Sequence, residues 1–104
     1  MNETERPMYY VLDGKKAVPV ETVQEWAAQF QSSKRIVKQE MISDVKISTV
    51  FLGLDHSFLG VGPPILFETM IFGGEHNEYQ ERYSTWEEAE AGHAVAVVLV
   101  RGTK

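Results

Sequence analysis

Four side chains in this sequence could do chemistry together: Asp55, His56, Glu68 and His93. A carboxylate beside an imidazole can shuttle protons, and oxygen and nitrogen donors of these types suit a divalent metal. Asp55 and His56 are neighbours at the mouth of a loop. Glu68 falls between Leu66 and Met70 in an apolar run, where an unpaired carboxylate is costly or must hold a proton. His93 shares a helical stripe with Trp86, Ala89 and Val97, so its imidazole needs a partner. A contact of Glu68 with His93, or with His56, meets both needs. The spacing matches no zinc motif, and no Ser/His/Asp or Cys/His nucleophile signature is present. A structural hydrogen-bonded cluster is therefore the favoured reading. A polar ligand pocket and the catalytic metal of a small hydrolase stand behind it, and neither a metal nor a cofactor is expected.

Two charged stretches and one glycine-rich loop complete the candidates. Glu75, Glu78, Glu81, Glu87, Glu88 and Glu90 lie close together, relieved by Arg82. Such a stretch is usually a solvated face; its sharper reading is a surface for a basic partner, imitating nucleic-acid phosphates. Lys34, Arg35, Lys38 and Lys46 form the one basic concentration and read as a wet strand face. Gly60-Val61-Gly62-Pro63-Pro64 lacks the lysine and the following helix of a phosphate-binding loop. It reads as a rigid turn and a candidate for a cis peptide before Pro63 or Pro64.

The elements that must position these groups follow from periodicity. Residues 1–7 are polar and read as a tail. Met8–Leu12 and Lys15–Val18 form a hairpin about Asp13-Gly14, since glycine tolerates positive φ, and Pro19 is expected to stop the return arm. Val23, Trp26, Ala27 and Phe30 recur at helical spacing, predicting a helix over about 21–31 that ends at Ser32-Ser33, with Trp26 as a core anchor. Arg35–Ile42 reads as a strand that turns at Ser43-Asp44 onto Val45–Leu54.

Two apolar runs, Ile47–Leu54 and Ile65–Phe72, form the central antiparallel hairpin. Both are apolar on both faces, where a sheet with one wet face would alternate strictly. One face should be covered by helices and the other by a further layer or subunit, which predicts a homo-oligomer. Tyr79–Tyr83 reads as an edge strand. Thr85-Trp86-Glu87-Glu88 fits a capping box and opens a helix over about 86–100.

The fold expected is α+β: a mostly antiparallel sheet of four to six strands with two helices, in one domain over 8–104. The 104 residues include no cysteine, which excludes disulfides and thiolate metal sites. A net charge of −5 makes nucleic acid an unlikely partner. With no signal-peptide pattern and no apolar run of ~18 residues, a soluble cytoplasmic protein without a membrane partner is expected.

The strings STVFLGLDH (48–56), GPPILFETMIFGG (62–74) and RYSTWEEAEAGH (82–93) resemble a group of small uncharacterised proteins of phage, prophage and bacterial genomes. The resemblance spans roughly the last two-thirds of the chain and carries over no functional residues. It implies a cytosolic accessory protein, in the host cytoplasm if phage-encoded, that acts by binding a host protein or small ligand. The alternatives are a small metal-dependent hydrolase using Asp55, His56, Glu68 and His93, and a purely structural or assembly protein.

Overall fold

Among the described residues six strands and two helices follow in the order β1 (Tyr9–Asp13), β2 (Lys16–Val20), α1 (Val23–Phe30), β3 (Ile36–Ile42), β4 (Val45–Phe51), β5 (Phe67–Phe72), β6 (Gln80–Tyr83) and α2 (Trp86–Arg101). The computed structural model describes residues 7–31, 35–57 and 60–102. Most of the expected tail, the helix end at Ser32-Ser33, and Lys34 lie outside the described residues. The architecture is α+β, with a two-stranded sheet β1-β2 and a four-stranded antiparallel sheet β3-β4-β5-β6.

The first hairpin turns at Gly14, whose φ of 64° is the conformation glycine allows cheaply. Contrary to expectation, Pro19 does not stop the return arm: it lies within β2, opposite Tyr10. Strand β2 is an edge, where a missing donor can face away from the ladder. Helix α1 starts at Thr22, the cap, whose hydroxyl accepts from the Glu25 backbone N–H at 3.2 Å. It grips the outer edge of β1 through Gln29. That side-chain amide accepts from Leu12 N at 2.6 Å and donates to Leu12 O at 2.7 Å, standing in for a neighbouring strand. Trp26 is half-buried and lies in neither apolar core cluster, so it is not the core anchor expected: it packs at the periphery, 5.9 Å from the Tyr9 ring and against Gly53, where any side chain would overlap the indole.

The larger sheet is a meander. Ser43-Asp44 makes a two-residue turn, with Ser43 at a φ of 55°, and pairs Ile42 with Val45 and Glu40 with Ile47. A bulge between Ile36 and Lys38 shifts the register beyond that point. In the central hairpin Ile47 pairs with Ile71 and Thr49 with Thr69. This hairpin is shorter than its apolar runs, because Gly53 turns the chain at a φ of 78° and Leu54 pairs with Tyr9 instead. No cis peptide occurs among the described residues, so the cis bond considered before Pro63 or Pro64 is absent.

Helix α2 lies across one face of this sheet, and its capping box is complete. The Thr85 hydroxyl accepts from Glu88 N at 3.1 Å, and the Glu88 carboxylate accepts from Ser84 N at 3.0 Å and Thr85 N at 3.1 Å. Beneath its first turn Tyr10, Leu12, Phe51, Leu66, Phe67 and Ala89 form one apolar cluster; beneath its last turns Ile47, Ile71, Ala96 and Val100 form another. Gly92 brings the helix against the Tyr83 ring, which any side chain at that position would overlap.

The second face of the hairpin has no layer over it among the described elements, since α2 is the one helix lying broadly on this sheet. Cross-strand rows there run Met41–Lys46–Phe72 and Gln39–Ser48–Met70–Gln80. Met41 and Phe72 are 61% and 45% exposed.

Candidate functional site

Between the two apolar clusters the helix-facing side of the sheet is polar. Thr49 of β4 and Thr69 of β5 stand opposite each other, and both are fully buried. Two hydroxyls in such a place must find partners or cost free energy. Their oxygens are 2.6 Å apart, and His93 of α2 brings Nδ1 to 2.6 Å from Thr49 Oγ1. The other ring nitrogen, Nε2, lies 2.8 Å from Glu40 Oε1 on β3.

The donor inventory orders this chain of bonds. Glu40 is held below the usual carboxylate range, chiefly by the hydrogen bond from His93. Burial opposes that effect, and the Lys38 and Arg101 charges add to it. An ionised Glu40 accepts from Nε2–H. In the neutral ring Nδ1 then accepts from the Thr49 hydroxyl, which in turn accepts from Thr69. Beyond Thr69 lies the Tyr83 phenol, whose ionisation burial pushes above the ordinary tyrosine value, with Thr69 acting against the shift.

Carboxylate, imidazole and hydroxyl in a row are also the order of a hydrolytic triad. Access decides between the two readings. A groove of about 580 Å³ runs between β3 and α2, with Lys38, Glu40 and His93 on its floor, Ala94, Val97 and Val98 on its wall, and Glu90 and Arg101 at its ends. It reaches the Glu40 end of the chain of bonds and does not include Thr49. The hydroxyl that would attack is sealed on the far side of the ring.

The residues singled out in the sequence do not converge. Glu68 points to the opposite face of the sheet from His93, so the expected Glu68–His93 contact does not form, because successive strand residues alternate faces and Thr69 takes the helix side. Glu68 accepts instead from Arg82 Nε at 2.9 Å and Gln80 Nε2 at 2.5 Å. Those partners stand beside it on β6, so the alternative contact with His56 is not needed either.

Asp55 closes the base of the long loop, its Oδ1 accepting from Ser57 N at 2.8 Å and Ile65 N at 3.0 Å. His56 donates its backbone N–H to Ile65 O at 2.9 Å, and the residue is exposed. Among the described residues no three His, Cys, Asp or Glu side chains are grouped so as to hold a metal ion.

The acidic residues are likewise divided. Glu75 lies near Val100 and Arg101 at the end of α2, whereas Glu87 lies at its start beside Lys15 and Lys16. Some 14 residues of helix, about 20 Å at 1.5 Å each, separate those ends. Glu88 is committed to the cap. Glu78 and Glu81 are exposed around β6, and Glu87 and Glu90 belong to α2.

Three members of this chain of bonds, half-buried Glu40 and buried Thr49 and Thr69, carry no motif. The signal that could have found Glu40 is the Ser43-Asp44 turn. Counting outward from it sets Glu40 opposite Ile47, on the face that α2 covers.

Compared with protein-family models, curated proteins and solved structures, the chain shows no significant match. Among the described residues no helix is long and apolar enough to cross a membrane.

Proposed function

We propose that this chain is a non-catalytic binding protein of the phage accessory type, engaging a protein partner through the open face of β3–β6. The observation that carries this reading is the Met41–Lys46–Phe72 row, where two large apolar side chains stand uncovered on either side of a lysine stem. Val50 and Met70 continue the apolar surface inward. Glu68, Arg82 and Gln80 supply polar groups already paired to one another, and so cheap to desolvate together. A flat sheet face suits a macromolecule better than a small ligand, which favours a concave pocket. The hydrolase reading gains no support from the geometry, because the buried imidazole spends both nitrogens inside the protein.

The test is affinity capture from host cells with wild type and a Met41→Ser/Phe72→Ser variant, with Glu87→Lys as the control. The expected result is a partner retained by wild type and by Glu87→Lys and lost with the double variant, whose melting temperature stays near that of wild type. An identical set of captured proteins for all three would overturn the proposal.

A further inference from the structure

Strand β3 pairs with β4 on one side, and its other edge is open among the described strands. An open edge is a template for another strand. Beside it the groove wall of α2 presents Ala94 and Val97, with Val98 left 69% exposed. A helix normally buries one apolar stripe, and α2 already buries one through Ala89, His93, Ala96 and Val100. Its second stripe flanks the open edge, so one occupant could cover both.

The charges on this surface say which occupant. We infer that the open edge of β3 and the adjoining stripe of α2 form a two-fold interface with a second copy of this chain. Antiparallel pairing of β3 with its own copy about Gln39 sets Lys38 directly opposite the second copy's Glu40. Both residues lie on the helix side of the sheet, as their pairing with Thr49 and Ile47 requires. The same axis turns α2 antiparallel to its copy. If it passes midway between Ala94 and Val97, it sets Glu90 against Arg101 and Ala94 against Val97. The four charges that line the groove, Lys38, Glu40, Glu90 and Arg101, then each meet an opposite one.

Strand and helix place that axis within about one strand residue of each other. His93 bonds both Glu40 and Thr49, the latter opposite Lys38, so this part of α2 lies above Gln39. Ala96 packs with Ile47 and Ile71 at the level of Glu40. A single two-fold axis therefore serves both pairings, as an isologous dimer demands. Within one chain Lys38, exposed, and Glu40, half-buried, make a loose pair at 3.7 Å. Among the described residues neither Glu90 nor Arg101 has an ion pair of its own. The dimer would make one eight-stranded sheet and bury the groove. It leaves the open sheet face free, so it stands or falls independently of the partner proposed for that face.

The experiment is light scattering and sedimentation on the full chain at micromolar concentration. Wild type is expected at twice the 11.8 kDa of one chain. Glu90→Arg and Arg101→Glu should each weaken dimerisation at least about tenfold, because each reversal acts twice across the axis. Glu90→Arg combined with Arg101→Glu should restore it. Val95→Glu, on an exposed valine outside the groove, should change nothing. The chain has no cysteine, so Gln39→Cys under mild oxidation should give a covalent dimer, whereas Met41→Cys should not. Circular dichroism confirms that each variant is folded, and the cysteine test needs neither reversal. A wild-type mass of one chain, reversals that leave dimerisation unaltered, or failure of the combined reversal to restore it would overturn the interface, as would absence of the Gln39→Cys dimer.

Discussion

His93 Nε2 lies 2.8 Å from Glu40 Oε1, so the middle of α2 is tied to the outermost strand of its sheet by one bond. Through Nδ1 the same ring is tied to the central strands. His93→Ala would leave the Thr49 hydroxyl and the Glu40 carboxylate without that partner and open a void between two apolar clusters. A loss of about 3 kcal/mol is expected, from an unmet buried polar group plus a cavity. Urea denaturation should show it as a lower midpoint at unchanged slope. A loss below ~1 kcal/mol would mean that the ring does not hold α2 to the sheet.

The pH dependence has a definite sign. Folding lowers the pKa of Glu40 and so favours its ionised form, chiefly through the His93 hydrogen bond. A carboxylate depressed in this way contributes stability above its unfolded value. That contribution is lost as pH falls through the folded value. Stability measured from neutral pH into the acid range should therefore fall less steeply for Glu40→Gln than for wild type. Parallel curves would mean that Glu40 is as easily protonated folded as unfolded.

How much of this could be read from the sequence depended on whether a local turn or a long loop set the register. The Thr85-to-Glu88 cap, the stripe carrying His93 and the Ser43-Asp44 turn are local patterns, and each forms where its residues place it. The partners of Glu68 depend on how β5 meets β6 across a turn with glycines at positive φ and Glu78 at a φ of 74°. No composition rule fixes that register. Glu40 was hidden for another reason. The bulge near Ile36 breaks the alternation of β3, so no spacing in the sequence marks its carboxylate. Simple alternation along β4 and β5 sets Thr49 and Thr69 on one face. Threonine is common in strands, however, and two of them suggest nothing until an imidazole is set above them.

Gly92 gives a prediction against the usual propensity. In an exposed helix Gly→Ala gains about 1 kcal/mol. Here a methyl group would overlap the Tyr83 ring, and overpacking typically costs about 1–3 kcal/mol. Gly92→Ala should therefore lower the melting temperature. Tyr83→Phe would not rescue it, since ring carbons as well as the hydroxyl stand in the way. A more stable Gly92→Ala would mean that the helix rides higher over β6.

The cap should be worth what its geometry implies. Thr85→Ala removes the acceptor for Glu88 N and should cost about 1 kcal/mol. Ser84 contributes its backbone N–H to the Glu88 carboxylate, which an alanine also supplies, so Ser84→Ala should cost clearly less. Equal losses in thermal melts would place the start of α2 elsewhere.

Glu68 and His93 lie on opposite faces of the sheet, and their independence can be measured. Glu68→Gln keeps the shape but removes the charge from the bond with Arg82, 2.9 Å away. Arg82 is partly exposed, so the expected loss is modest, about 1 kcal/mol. Combined with His93→Ala, the losses should add to within about 0.5 kcal/mol, as they do for sites that share no partner. A metal held by the two residues would couple them instead, and a chelator would then lower the melting temperature of wild type but not of His93→Ala. No chelator effect is expected. Strong coupling in the double-mutant cycle, or a stoichiometric metal by elemental analysis, would bring the two residues into one site and return the hydrolase reading to the front.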